Sequence, residues 1–104
     1  MRAIQLVRLD KTRPAIILTR ESARESMTWV TVAPITTTVR GISTEVPLGP
    51  LNGLDSSCVA SCDNVRTVPI ENLGRTVGFL READETALAN ALIAAYNLRV
   101  EDLP

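Results

Sequence analysis

Arg13-Pro14-Ala15-Ile16-Ile17-Leu18-Thr19 is the stretch on which the reading of this chain turns. A short, continuously apolar run such as Ala15-Ile16-Ile17-Leu18 is what a β-strand buried on both faces requires. Proline fixes its own φ and biases the residue before it to extended backbone, so Arg13 is expected at the rigid start of that strand. A guanidinium pinned in this way suits a phosphate. A second stretch, Ala33-Pro34-Ile35-Thr36-Thr37-Thr38-Val39-Arg40, brings hydroxyls and another arginine to the end of a second apolar strand. Function depends on whether the two stretches meet.

Outward from this run the chain reads as short strands ending in a helix. Ile4-Gln5-Leu6-Val7-Arg8-Leu9 alternates imperfectly and predicts a strand, and Asp10-Lys11-Thr12 is a tight polar turn into Arg13-Pro14. Residues 20–26 form a polar connection with room for a helical turn, and Met27-Thr28-Trp29-Val30-Thr31-Val32-Ala33 is a β-branched strand. A break is expected at Pro34. Residues 36–39 and 42–48 then read as two strands joined by a tight turn at Arg40-Gly41, where glycine accepts positive φ. Pro47, Pro50 and Asn52-Gly53 mark an irregular loop. Residues 58–61 and 64–68 resume strand character around Asp63-Asn64, Pro69 closes it, and residues 76–80 are a further strand.

From Glu82 the chain favours helix, with Ala87, Leu88, Ala91, Leu92, Ala95 and Tyr96 on one apolar stripe and Asp84 and Glu85 in the first turn, where the helix dipole favours acids. Asn97 is the expected stop. The expected fold is mainly β with a C-terminal helix, a small twisted barrel or half-barrel with the helix across one face.

With 104 residues, 45% of them hydrophobic, the chain suits a single domain over residues 1–104, without a linker. Its apolar runs fall far below the roughly 18 residues of a membrane span. The N-terminus lacks the apolar core of a signal peptide, so a cytoplasmic location without membrane association is expected. The net charge of −1 hides an asymmetry: residues 1–40 carry +4 and residues 41–104 carry −5. The basic half suggests an anionic partner such as nucleic acid, although such charges also serve solubility alone. Cys58 and Cys62 lack the spacing of a redox pair or zinc knuckle, and no histidine is present to complete a metal site. Their even spacing puts them on one strand face as buried free thiols.

The lack of histidine removes Ser-His and Cys-His dyads, and no phosphate-loop or dinucleotide glycine pattern occurs. RNA cleavage needs neither. The ribose 2′-hydroxyl is an internal nucleophile, so a protein need only orient the backbone, stabilise charge on the phosphorane and help move protons. An arginine and a hydroxyl close together supply the electrostatic part.

Four motifs in order, Arg13-Pro14-Ala15-Ile16-Ile17-Leu18-Thr19, Val32-Ala33-Pro34-Ile35-Thr36-Thr37-Thr38, Ser43-Thr44-Glu45-Val46-Pro47 and Asp63-Asn64-Val65-Arg66-Thr67, resemble those of the MazF/PemK family of bacterial toxin endoribonucleases. The late Gly74-Arg75 step and the terminal helix extend the resemblance over nearly the whole chain. It implies a homodimer of an SH3-like β-barrel, the CcdB/MazF-like toxin fold. It further implies cleavage of single-stranded RNA without metal or other cofactor, leaving a 2′,3′-cyclic phosphate and a 5′-hydroxyl, with inhibition by a cognate MazE-type antitoxin. Arg13 corresponds to the family's catalytic arginine and Thr36 to its catalytic threonine. Lys11, Thr19, Thr37, Thr38, Arg40, Asp63 and Asn64 complete the expected RNA-binding set.

Arginine's pKa is too high for it to be free as a general base, so Arg13 is cast as the stabiliser of phosphorane charge, with proton donation to the leaving oxygen as a further role, and Thr36 as a hydrogen-bond donor to the scissile phosphate. On its own Arg13 also reads as a surface ion pair with Asp10 or Glu21, and Thr36, Thr37 and Thr38 as simple β-formers. Arg40 reads either as a phosphate contact or as an exposed turn residue. Asp63 and Asn64 either read a base edge or cap a turn, and Trp29 belongs to a core, a dimer interface or a stacking platform. Asp10-Lys11-Thr12 replaces the long glycine-rich first loop of many family members, which predicts a more open groove that admits a folded RNA with an exposed single-stranded segment. Two other classes share this sequence pattern in part: a CcdB-like toxin that binds a protein target such as gyrase, and a nucleic-acid-binding module without catalysis.

Overall fold

β-Branched side chains dominate Trp29–Thr36, an eight-residue strand, β3, around which the molecule is arranged. The computed structural model describes residues 1–99 and 101. One edge of β3 pairs with β2 (Thr12–Ile17) in the register Ile17 to Val32, Ile16 to Ala33 and Ala15 to Pro34. The other edge is divided: residues 29–32 pair with β6 (Arg66–Pro69), and Ile35 and Thr36 pair with β5 (Cys58–Ser61).

Pro34 does not break the strand as expected. Thr31 turns its backbone toward the end of β2, accepting from Leu18 N–H at 2.8 Å and donating to Thr19 Oγ1 at 2.8 Å. Alternate residues, Pro34 among them, therefore face the opposite edge. There Pro34 falls in the gap between β6 and β5, where its missing N–H is not needed. The separate strand expected at residues 36–39 is absent. After Thr36 the chain forms a loop through Thr44, turns at Gly41 with φ +73°, and returns as β4 (Glu45–Leu48), paired with β5. β4 lies at the edge of the sheet, which is why Pro47, read both within the strand expected at residues 42–48 and as a mark of the loop after it, sits inside a strand.

β1 (Ala3–Arg8) joins β2 through the tight turn at residues 9–11. β7 (Leu73–Phe79) starts three residues earlier than predicted and completes the order β4-β5-β3-β2-β1-β7. Among the described residues every pairing is antiparallel. The strand expected over residues 64–68 begins only at Arg66, because Cys62–Asn64 winds into a 3-10 turn. The short helix α1 (Glu21–Arg24) supplies the predicted helical turn.

Alternation along the strands divides the interior in two. Ile4, Ile16, Ala33 and Ile35 pack with Val46, Leu48, Cys58, Ala60 and Cys62 and with Leu88 and Ala91 of α2 (Glu82–Tyr96). Val7, Ala15, Ile17, Val30, Val32 and Val68 form a second core on the other face. β1 and β4 stand far apart in strand order yet contribute Ile4 and Val46 to one core, so the sheet curls on itself in the manner of a barrel. Cys58 and Cys62 are free, buried and packed in one core, as predicted, but only Cys58 is on a strand, since Cys62 opens the 3-10 turn after β5. The helix stripe packs through Ala95, whereas Tyr96 stands 56% exposed, and Asn97 ends the helix at φ +52°. No helix among the described residues is long and apolar enough to cross a membrane.

Asp84 is the buried charge of the helix. Its carboxylate accepts from Asn52 Nδ2 at 2.7 Å and from Arg81 N, Nε and Nη2 at 2.9, 3.0 and 3.1 Å. Asn52 also donates to Phe79 O at 3.2 Å, which ties the 3-10 turn Pro50–Asn52 to the sheet. That crossing is tight: a Cβ on Gly78 would stand 1.7 Å from Asn52 O.

Candidate functional site

Continuing the antiparallel register of β2 and β3 two residues past Ala15 and Pro34 sets Arg13 directly across from Thr36. Arg13 shares the face of Ala15 and Ile17, and Thr36 shares that of Val30 and Val32, so both extend beyond the end of the second core. They line a groove of about 450 Å³ together with Asp10, Thr38, Arg40, Ile42, Glu45, Ser61, Asp63, Asn64 and Arg66. The groove lies at the gap in β3's divided edge. The β1–β2 turn and the loop of residues 37–44 form its walls, and the turn Cys62–Asn64 lies between β5 and β6.

The expected Asp10 ion pair is present. Arg13 Nε donates to Asp10 Oδ1 at 3.1 Å and Nη2 to Oδ2 at 3.0 Å. The hydrogen bonds from Arg13 hold the Asp10 carboxyl well below the usual carboxylate range, and Asp10 in turn raises the pKa of Arg13. One edge of the guanidinium is thereby fixed, while the Nη1 N–H groups and the second Nη2 N–H stay available for a bidentate anion. Thr36 Oγ1 accepts from Thr38 N–H at 3.1 Å, leaving its own O–H as a donor.

Three acids and three arginines line the groove, so its formal charges balance, but among the described residues only one of the arginines is ion-paired. Asp10 is paired with Arg13. Asp63 Oδ2 accepts from Thr44 Oγ1 at 2.6 Å. Glu45 accepts backbone N–H groups: Gly41 at 2.8 Å, Arg40 at 3.2 Å and Ile42 at 3.4 Å. Arg40 and Arg66 make no ion pair among the described residues and face the groove as unneutralised cations.

The structure thus gathers Arg13, Thr36, Thr38, Arg40, Asp63 and Asn64 from the predicted set and leaves three outside the groove. Lys11 is exposed in the turn next to Asp10 without lining it. Thr37 points past Thr36 into a neighbouring hollow with Asp55, Ser56 and Arg75. Thr19 lies six residues from Arg13 at the far end of β2, roughly 20 Å away at the rise of a strand. Its hydroxyl accepts Thr31 N–H beside Arg2, Glu21 and Glu85. Asn64 Nδ2 donates to Ser61 Oγ at 2.8 Å. Trp29 is 53% exposed and no part of either core. Sequence reasoning missed Glu45 and Arg66, although both stand inside quoted motifs. Among the described residues no three His, Cys, Asp or Glu side chains gather as a metal site.

A curled antiparallel β-domain with one packing helix, and an arginine facing a threonine in a groove lined by two further arginines, defines the class of small domain to which the chain is compared. The chain belongs to the PemK-like, MazF-like toxins of type II toxin-antitoxin systems, whose family pattern matches residues 6–96. It is 54% identical over 98 residues to endoribonuclease MazF3 of Mycobacterium tuberculosis strain H37Rv, which covers 94% of this chain and 95% of that one. The structure of Mycobacterium tuberculosis toxin MazF-mt6 matches with a TM-score of 0.92 at 53% identity, covering 94% of this chain and 99% of that one. A mycobacterial endoribonuclease solved in complex with its cognate antitoxin matches with a TM-score of 0.83 at 26% identity, covering 93% of each chain.

Proposed function

We propose that this single domain, residues 1–104, is an endoribonuclease toxin that cuts single-stranded RNA without a metal ion and is held in check by a cognate antitoxin. The observation that carries the reading is the placement of Arg13 across from Thr36, each with an unused donor, in a groove where Arg40 and Arg66 are unneutralised. The substrate's 2′-oxygen attacks phosphorus and the P–O5′ bond breaks. The 2′-hydroxyl proton leaves, and a proton reaches the departing 5′-oxygen. The products are a 2′,3′-cyclic phosphate and a 5′-hydroxyl. Arg13 stabilises the negative charge that builds on the phosphorane, and Thr36 donates to the scissile phosphate. Asp10, held ionised by Arg13, is a poor base and acts by orienting the guanidinium.

The sequence identity to a named endoribonuclease over nearly the full chain supports this reading, and the solved complex of a relative with its antitoxin supports an antitoxin partner. A homodimer is supported by the apolar rim of Met1, Leu51 and Phe79 beside the β7 edge. Two buried free thiols fit a reducing cytoplasm. The short turn at residues 9–11 leaves the groove open on one side, which suits a single-stranded segment within a folded RNA. The test is incubation with a mixed RNA pool in EDTA and mapping of new 5′-hydroxyl ends. Wild type should generate them, and Arg13→Ala should lose them. The reading is lost if wild type yields none, or if Arg13→Ala cuts equally well.

A further inference from the structure

The loop of residues 37–44 carries Thr38 and Arg40 into the groove, and its shape is set by a carboxylate that contributes no contact of its own to an anion. We infer that Glu45 is a positioning residue whose carboxylate latches this loop and thereby fixes Arg40 as a phosphate contact. The inference rests on the RNA-binding reading above. Glu45 is the first residue of β4, in register with Ser61 of β5, so it stands on the sheet and not on the loop. Its carboxylate receives three successive N–H groups, from Arg40, Gly41 and Ile42, as the chain turns at Gly41 with φ +73°. Consecutive N–H groups around a positive-φ residue form an anion-binding nest, and here the anion is internal.

Two consequences follow. The nest spans both residues that flank the turn, so Arg40 cannot swing away while the carboxylate is seated. Glu45 also has its charge met by those amide dipoles and not by Arg40's side chain, which leaves that guanidinium free for phosphate. The loop's other end is fixed independently, by Thr44 Oγ1 to Asp63 and by Cys62 N–H to Thr44 O at 2.9 Å. Release of Glu45 therefore loosens the tip of the loop while its base stays in place.

The probe is a mixed-sequence 12-mer of 2′-O-methyl RNA, which has no 2′-hydroxyl and cannot be cut, with binding read by fluorescence anisotropy. Arg40→Ala should weaken binding about threefold to fivefold, as loss of one phosphate contact does. Glu45→Gln should weaken it at least as much, and the double variant Arg40→Ala/Glu45→Gln should match Glu45→Gln alone within twofold, because the two act through one contact. In parallel, trypsin should cut Glu45→Gln at Arg40 at least tenfold faster than wild type, with the rest of the chain resistant. The inference is overturned if Glu45→Gln binds as wild type does, if the two effects multiply, or if trypsin cuts the variant throughout, which would make Glu45 a support of the whole fold. Failure of wild type to bind the probe would instead overturn the RNA reading, and with it the role given to Glu45.

Discussion

Arg13 is paired with Asp10, so Arg40 and Arg66 are the lining arginines without an ion pair among the described residues, and on the RNA reading two phosphates are neutralised when a single strand lies in the groove. Single-stranded nucleic acid releases about 0.7 of a counterion per phosphate neutralised, which gives a slope of roughly −1.4 for log affinity against log salt. Between 50 and 200 mM salt the affinity should fall about sevenfold. Arg66→Ala removes one contact, so its slope should drop to about −0.7 and its loss over the same range to about 2.6-fold. Arg66 is exposed at the start of β6 and its side chain enters neither core, so this variant should fold normally. The assay is anisotropy of the 2′-O-methyl 12-mer at four or more salt concentrations. A wild-type slope shallower than about −0.7, or an Arg66→Ala slope equal to wild type, would refute the assignment of these arginines to phosphates.

Gly78→Ala should destabilise by about 2–4 kcal/mol, since moving the Asn52 backbone carbonyl out of the way draws the same residue's Nδ2 from Phe79 O and Asp84 Oδ2. Gly49→Ala, whose Cβ would meet its nearest atom at 3.7 Å, should unfold in urea close to wild type, and equal midpoints for the two variants would refute the account. Burial pushes the Cys62 thiol up to about 11, with the charge of Asp63 adding to it. Native protein at pH 8 should therefore react with a thiol-disulfide reagent far more slowly than in urea, and modification within a minute would contradict this. Asp84 is held below its ordinary value of 3.8, chiefly by Arg81, and Asp10 likewise by Arg13. The unfolded chain takes up protons first, so stability is fully present above about pH 4 and falls as pH drops below it. Asp84→Asn should show a shallower loss between pH 4 and pH 3 in urea titrations, and an unchanged slope would count against the Asp84 pairing.

Arg13 was legible because the proline after it pins it at a strand start, whereas Thr36 was singled out only through the family resemblance, and the register of β2 against β3 that sets the two opposite is seen in the fold alone. The helix was equally plain, from its stripe to the stop at Asn97. Pro34 misled because a proline is judged by the hydrogen bond it withholds, and only the fold reveals that β6 and β5 leave a gap there. The same limit hid Glu45 and Arg66. A carboxylate that binds backbone amides has no partner side chain to look for in the sequence, and Asp63 finds its hydroxyl nineteen residues away. Thr19 was misplaced for a simpler reason: it belongs to the right strand segment but to its far end.

The divided edge of β3 also has a bearing on when the protein becomes active. Arg13 and Thr36 lie within the first 36 residues, but the groove between them exists only once β5 and β6 have docked on opposite halves of β3. The larger core further waits for Leu88 and Ala91 on the last helix. These are contacts between residues distant in sequence, the kind that close late and together. During synthesis the groove between the two residues therefore forms only after β5, β6 and the helix that carries Leu88 and Ala91 have emerged.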